Sequence, residues 1–403
     1  MKKVRYQASL LIVLVIFIYG CASTRPAALP SDESARLPWG ALDLDIESDH
    51  SEYTLKKSMG EALEIKLKNY SGSETAIPLN ILALSGGGSG GAYGAGVLSG
   101  WKERGDLPQF DIVTGISTGS IMASFAFLGG ENIDTLQDIF TTLETENLYT
   151  SRLLNWFSQA SINDTRPLKE KLIKGINEPF LAKIAAEHKK GRRLYMGTTN
   201  LDTGQLVVWD MGAIASSNRP NKVQRYRDII YASSAVPILF PPQFIEVDVE
   251  EKKFYQMHVD GGLYSNVFMI GLLVNWSDVL HVSAKNRDRF DANLYVIANR
   301  KYRESHAYKP SPLEATEVIG SLLLVATDLL FDRTIHRIYE SAQTRNIKFH
   351  MATIPNGTDF ISSPMDFIPE EMQGLFSLAY EQALSGYPWQ TKIELDEYDK
   401  SGR

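Results

Sequence analysis

Short apolar runs alternate with longer segments of mixed character through most of the chain. "NILALS" (80–85) is followed by "GAGVLSGWKERG" (94–105), and "FDIVTGIS" (110–117) by "GSIMASFAFLGG" (119–130). "RLYMGTTN", "QLVVWD" and "NLYVIANR" come later. Compact apolar and β-branched runs predict strands, and the longer segments predict helices. A strand-then-helix rhythm of ~30 residues predicts an α/β fold with a mostly parallel central sheet flanked by helices. No internal repeat is visible. "VIGSLLLVATDLLF" (318–331) predicts a helix with Asp328 embedded in it; a buried core helix is the favoured reading, over a lining for an acyl chain or a lipid contact. "DFIPEEMQGLFSLAYEQAL" (366–384) has Pro369 and acidic residues in its first turn, with Met372, Leu375, Phe376 and Ala379 at helical spacing, and predicts a packed amphipathic helix.

The first residues follow a different pattern. Lys2, Lys3 and Arg5 give a basic start, Ala8 to Tyr19 an apolar core too short for a membrane span of ~20 residues, and Gly20 precedes Cys21. This reads as a signal peptide over 1–20. "IYGC" resembles the lipobox of bacterial lipoproteins, which implies diacylglyceryl attachment to the Cys21 sulfur followed by cleavage before that residue; an uncleaved anchor helix ending in Gly-Cys is the alternative reading. Ala22 and Ser23 follow with no Asp, which fits an outer-membrane location in a bacterial envelope. Residues 21–75 read as a spacer and N-terminal extension, rich in Ala, Ser and Pro at its start, with "YTLKKSMGEALEIKLKNY" as a helix or strand pair. The main domain is expected over 76–395.

Composition narrows the classes. The chain has 403 residues, of which 44% are hydrophobic and 22% charged, an ordinary globular make-up. A formal net charge of -7 leaves no broad basic field, so nucleic acid is excluded as a partner. Cys21 is the single cysteine, so no intramolecular disulfide can form.

The glycine-rich stretch "LALSGGGSGGAYGAGVLSGW" (82–101) follows one strand and opens a helix. It would suit a phosphate or a developing oxyanion. Gly86, Gly88 and Gly91 fit a dinucleotide fingerprint, but the next strand ends in "GISTG" where that reading expects an acidic residue, with Asp111 at the strand's start instead. No Lys-Ser or Lys-Thr follows the glycines, as a phosphate loop would require. "GISTG" (115–119) matches G-x-S-x-G, a sharp strand-to-helix turn that exposes Ser117. In a parallel sheet both turns lie on the carboxyl edge, so loop amides can point at the carbonyl oxygen that Ser117 attacks, near the positive end of a helix dipole.

A serine nucleophile needs a base. None of the seven histidines lies in an obvious active-site turn; His258, in "MHVDGG", is the nearest approach. Asp260 ends a short predicted strand and is followed by Gly261 and Gly262, which permit close backbone approach. His258 lies two residues earlier on the same strand, so spacing alone leaves a histidine-containing triad open.

Together "SGGGSGGAYGAGVL", "GISTG" and "DGG" resemble the patatin-like lipid acyl hydrolases, and "TTNLDTGQLVVWD" and "YASSAVPILFPP" resemble further segments of that family. The likeness covers Leu79 to Asn266. It implies a patatin-like Ser-Asp hydrolase fold, Gly86, Gly87 and Gly88 as the oxyanion hole, Ser117 as nucleophile and Asp260 as sole base. The implied activity is hydrolysis of fatty-acyl esters of membrane lipids, of phospholipase A or lysophospholipase type, through an acyl-enzyme. No metal or organic cofactor is implied. Gly90 departs from the family, whose members often carry Arg or Lys there, and so raises a second reading: an envelope lipoprotein that binds lipid or scaffolds partners without turnover.

Overall fold

The computed structural model describes residues 25–44, 54–72, 76–147, 149–151, 163–164, 166–269, 290–303, 315–358 and 363–393. The signal segment and Cys21 lie outside them. The chain runs through β1 (Ala41–Leu42), α1 (Leu55–Asn69), β2 (Ile77–Leu84), α2 (Gly91–Arg104), β3 (Ile112–Gly115), α3 (Thr118–Leu128) and α4 (Asp134–Thr142). It continues through α5 (Arg166–Gly175), α6 (Glu178–Lys189), β4 (Arg193–Asn200), β5 (Gln205–Asp210), α7 (Met211–Ser216) and α8 (Lys222–Ser233). The last elements are β6 (Gln243–Val249), β7 (Lys252–Asp260), β8 (Phe290–Lys301), α9 (Ala315–Thr344), β9 (Lys348–Ile354) and α10 (Pro369–Leu384).

Among the described residues, nine strands make the main sheet. Its path runs β1-β5-β4-β3-β2-β8-β9, with β7 pairing with β4 and β6 pairing with β7. β4, β3, β2, β8 and β9 are mutually parallel, and β1, β5, β6 and β7 join by antiparallel pairing. β4 changes partner along its length. Residues 193–196 pair with β3, and Thr198, Thr199 and Asn200 pair with Asp260, Val259 and His258 of β7.

The strands are apolar in continuous runs because both faces of the sheet are covered. Side chains alternate between the faces. Leu82, Leu84, Val113 and Ile297 pack on one face with α2, α3 and α10, whereas Leu79, Ile81, Ala83, Ile112 and Val296 pack on the other with α1 and α9. The result is three layers.

Elements ahead of residue 76 join the same sheet and its covering layer. β1 pairs with β5, and "YTLKKSMGEALEIKLKNY" forms the single helix α1, capped by Thr54 Oγ1 accepting from Lys57 N at 3.1 Å. Leu55, Met59 and Leu63 lie four residues apart on one stripe and are buried in the α1–α9 layer. Composition alone hid this helix, since its exposed face is dense in lysine and glutamate.

α10 buries Met372, Leu375, Phe376 and Ala379 as the pattern predicts. α9 corrects the expectation of a buried helix. Phe331, Ile335, Ile338 and Ala342 are core residues, but Val318, Leu322, Val325 and Leu329 are exposed. The core-facing residues among those described fall in the C-terminal half of α9, so the apolar run outlasts the surface available to cover it. Among the described residues, no helix is long and apolar enough to cross a membrane.

α2 and α10 approach closely through glycine. A Cβ on Gly96 would overlap the Phe376 carbonyl, and one on Gly100 would overlap the Tyr380 carbonyl and stand 3.0 Å from Ala383 Cβ. Gly100→Ala should therefore lower stability by about 1–3 kcal/mol through overpacking, although alanine gains ~1 kcal/mol in helix propensity over glycine. Thermal unfolding checks the sign; a melting point at or above wild type would show that the helices are not held at backbone contact.

Candidate active site

The sheet brings the two glycine turns side by side. Leu84 at the end of β2 is in register with Gly115 at the end of β3, and each strand turns into a helix from the carboxyl edge. Ser117 stands between β3 and α3 with φ 52° and ψ −126°, a strained conformation for a side-chain-bearing residue. Glycine on either side makes the turn feasible: a Cβ at Gly115 would overlap the Gly119 carbonyl, and one at Gly119 would overlap the Leu84 carbonyl.

Serines from α8 and its end hold the turn. Ser117 N donates to Ser233 Oγ at 3.0 Å, and Ser233 Oγ donates to the Gly197 carbonyl at 2.8 Å. The Ser117 carbonyl accepts from Ser120 N at 2.8 Å and from Ser120 Oγ at 2.7 Å. These bonds tie the elbow to β4 and fix the strained backbone.

The glycine loop lies between two other stretches of backbone. Cβ atoms at Gly87 or Gly90 would overlap the Asn299 carbonyl, and one at Gly88, where φ is +57°, would overlap the Pro364 carbonyl. Ser89 N donates to that Pro364 carbonyl at 2.9 Å, while Thr118 Oγ1 donates to the Gly88 carbonyl at 3.0 Å and links the loop to the serine turn. Asn299 braces the other side. Its Nδ2 donates to the Ser85 carbonyl at 2.7 Å, and its Oδ1 accepts from Gly94 N at 3.1 Å.

The loop does not offer three free amides, and Gly86 is the correction. Its N–H donates to the Asn266 carbonyl at 2.9 Å because the chain leaving β2 keeps a backbone partner for one residue more. Gly86 instead gives room, since a Cβ there would stand 3.0 Å from Ser117 Cβ. The N–H groups of Gly87 and Gly88 have no acceptor among the described residues, and they are the donors left to an oxyanion. The sequence departure at Gly90 also acquires a cause. No side chain fits there unless Asn299 moves, so a basic residue is sterically shut out.

Asp260 ends β7 and meets Ser117 across the cleft between the β3 turn and β4. Its carboxylate accepts from Gly262 N at 2.7 Å and lies near enough to the Ser117 hydroxyl for that group to favour its charged form. Its backbone is fixed by Asp260 N donating to Ala235 O at 2.9 Å and by Thr199 Oγ1 donating to Asp260 O at 3.0 Å. Gly261 lets the turn pass Gly197, whose carbonyl a Cβ would approach to 2.6 Å. Burial raises the carboxyl pKa to about 7, against the smaller lowering effects of the Ser117 and Gly262 hydrogen bonds. A carboxyl titrating there can take a proton from a hydroxyl far better than an ordinary aspartate.

His258 is occupied elsewhere. Its Nδ1 is 2.9 Å from Thr198 Oγ1 and its Nε2 is 3.2 Å from Gln256 Oε1. Burial, and next the charge of Arg225, push its pKa down to about 3, so the ring is neutral. His188 lies near Asp210, His336 bonds the Tyr302 hydroxyl, and His350 stacks on Tyr295. His50, His281 and His306 lie outside the described residues. Asp111, the residue weighed against a dinucleotide site, is at the amino end of β3, paired with Lys66 of α1 at 2.5 Å. Among the described residues, no cluster of three or more His, Cys, Asp or Glu could hold a metal ion.

Asn299, Asn266, Ser233 and Pro364 were not evident from the sequence. Asn299 does end an apolar strand run, where a polar residue on the carboxyl edge is a signal, but its target, Ser85, is 214 residues away.

Residues 82–273 match the family model described as patatin-like phospholipase. No curated protein matches the chain. Among solved structures, the chain is similar to VipD from Legionella pneumophila at 13% identity, with a TM-score of 0.37 over 76% of this chain and 66% of that one. It is similar to human GIVD cytosolic phospholipase A2 at 11% identity, with a TM-score of 0.37 over 89% and 63%. A third match is the complex of full-length SpcU with full-length ExoU from the type III secretion system of Pseudomonas aeruginosa, at 14% identity, with a TM-score of 0.30 over 68% and 53%. The chain thus spans two thirds or less of the length of these structures.

The raised Asp260 pKa has a stability consequence. Below about pH 4 the carboxyl is protonated in both folded and unfolded chains; as pH rises toward 7 only the unfolded chain ionises, so stability falls and then levels off. Asn at this position can accept from Gly262 N through Oδ1 and donate to Ser117 Oγ through Nδ2 without carrying charge. Asp260→Asn should therefore unfold at higher temperature than wild type at pH 8, by a stability difference on the order of 4 kcal/mol, and lose that advantage near pH 4. Equal melting points across this range would contradict a buried, raised carboxyl.

Proposed function

From the match of residues 82–273 to the patatin-like phospholipase family model, we propose that the chain is a serine acyl hydrolase of membrane lipids, of phospholipase A or lysophospholipase type. The observation that carries this reading is the nearness of the Ser117 hydroxyl to the buried Asp260 carboxylate, together with the amides of Gly87 and Gly88 that have no acceptor among the described residues.

In the proposed reaction, Ser117 Oγ attacks the ester carbonyl carbon while its proton passes to Asp260. The carbonyl oxygen becomes an oxyanion and accepts from Gly87 and Gly88 N–H, aided by the N-terminal end of α3. The C–O bond to the alcohol breaks, and Asp260 returns the proton to the departing oxygen. An acyl-Ser117 ester remains. Water then gives a proton to Asp260 and attacks the acyl carbon, and collapse of the second tetrahedral intermediate expels Ser117 Oγ, which regains its proton as the fatty acid leaves. The alternative, a lipid-binding envelope protein without turnover, drew on Gly90; the Asn299 carbonyl beside it accounts for glycine there on steric grounds.

We place the protein in a bacterial envelope, tethered through lipid on Cys21 and facing an outer-membrane surface. The support is the basic start, the short apolar core and the Gly20-Cys21 junction. Labelled palmitate should enter the wild-type protein in cells and be lost from Cys21→Ala; equal labelling of both would remove the tether.

The dyad is tested by non-additivity. Ser117→Ala, Asp260→Asn and the double variant should fall to a similar floor of fatty-acid release, about 10³-fold or more below wild type, because members of one catalytic unit do not contribute separately. His258→Ala should keep most of the activity wherever it folds. The wild-type rate should climb about eightfold between pH 5.5 and 6.5 and level off above about pH 8, as Asp260 ionises. A near-wild-type rate for Asp260→Asn would end the proposal.

A further inference from the structure

The exposed stripe on α9 belongs to a helix that is joined through Asn266 to the glycine packed against Ser117. Val318, Leu322, Val325 and Leu329 recur four, three and four residues apart and so share one helix face, 37, 64, 52 and 57% exposed respectively. The buried Phe331, Ile335 and Ile338 occupy the opposite face. The stripe continues into Arg333, with Arg337 flanking it a turn later, both exposed, before Glu340. The acidic groups between are engaged: Asp328 pairs with Arg300, and Asp332 Oδ1 accepts from Arg303 N at 3.4 Å. In a chain of net charge -7, the open face of α9 is apolar at one end and cationic at the other.

A short path joins this helix to Ser117. Asn266 Nδ2 donates to the Thr327 carbonyl of α9 at 2.8 Å, and the Asn266 carbonyl accepts from Gly86 N at 2.9 Å. Gly86 is the glycine packed against Ser117. Leu263 and Tyr264, between Asp260 and Asn266, are 36 and 51% exposed. Apolar exposure therefore borders the site on two elements.

We propose that this face of α9, with Leu263 and Tyr264, seats the protein on an anionic phospholipid bilayer. The apolar side chains would enter the headgroup boundary, and Arg333 and Arg337 would meet lipid phosphates. Charge and area favour a bilayer over a second copy of the chain. The six apolar side chains expose roughly 500 Å², below the about 800 Å² per partner of a standard stable interface, whereas a lipid surface needs no matched counterpart. The proposal rests on the reading of Ser117 as acting on membrane lipids only in explaining why the face lies beside the site.

The test uses the full chain carrying Cys21→Ala, which leaves no cysteine, with Val325→Cys labelled by an environment-sensitive fluorophore. Vesicles containing phosphatidylglycerol should shift its emission to the blue, and pure phosphatidylcholine vesicles should do so several-fold less. A label at Lys190→Cys, near the amino edge of the sheet, should not respond. With Val325 intact, Leu322→Ser/Leu329→Ser should slow hydrolysis of phosphatidylglycerol vesicles about tenfold or more and leave a monodisperse short-chain ester unaffected. Arg333→Gln/Arg337→Gln should abolish the preference for anionic vesicles. A silent label at 325, or wild-type vesicle hydrolysis by the Leu322/Leu329 variant, would overturn the docking face. So would a blue shift without lipid accompanied by a doubled mass in sedimentation, which assigns the stripe to a second copy. If no form hydrolysed either substrate, the catalytic reading would fail, and the label at 325 would still decide the docking.

Discussion

The site depends on backbone approaching backbone at the carboxyl edge of the sheet, where side-chain volume is absent. β2 and β3 turn into helices next to each other, and the space between the turns is filled by carbonyls of Leu84, Ser85, Asn299 and Pro364. A Cβ at 87, 88, 90 or 119 would displace one of them, and one at 115 would meet the Gly119 carbonyl. This crowding forces glycine at 87, 88, 90, 115 and 119, and it also fixes where amides and the serine hydroxyl point. Preorganisation here is a consequence of packing.

A second constraint sits across the cleft. Asp260 is closed off from water by β4, β7 and the Gly261 turn, and burial holds its carboxyl near neutrality against two hydrogen bonds that favour the charged form. A fully solvated aspartate would be too weak a base, and a fully desolvated one without donors would stay protonated. The same burial that suits proton transfer destabilises the fold at neutral pH, a common tension at reactive centres. His258, on the same strand, shows how local the effect is: its ring nitrogens meet Thr198 and Gln256, and it serves the packing of β4 against β7.

α9 joins these inner constraints to the surface. Its C-terminal half closes one face of the sheet, while its Thr327 carbonyl receives Asn266, which holds the end of the glycine loop. The helix that carries the exposed apolar stripe is thus joined by hydrogen bonds through Asn266 to the loop beside Ser117.

The sequence by itself determined the layered α/β architecture, because strands buried on both faces must be continuously apolar and their crossovers must be helical. It also singled out Ser117 and Asp260, the proposed pair, since G-x-S-x-G and D-G-G mark turns whose backbone tolerates no larger neighbours. Three things were decided only in the folded chain. Gly86 lost its amide to Asn266, a partner 180 residues away; Asn299 and Pro364 became the walls of the loop from equally remote positions; and α9 kept an apolar face open where its run length suggested burial. Each depends on which distant segment arrives at a given surface, and local periodicity records only that a surface is apolar or bare, with no record of what will cover it.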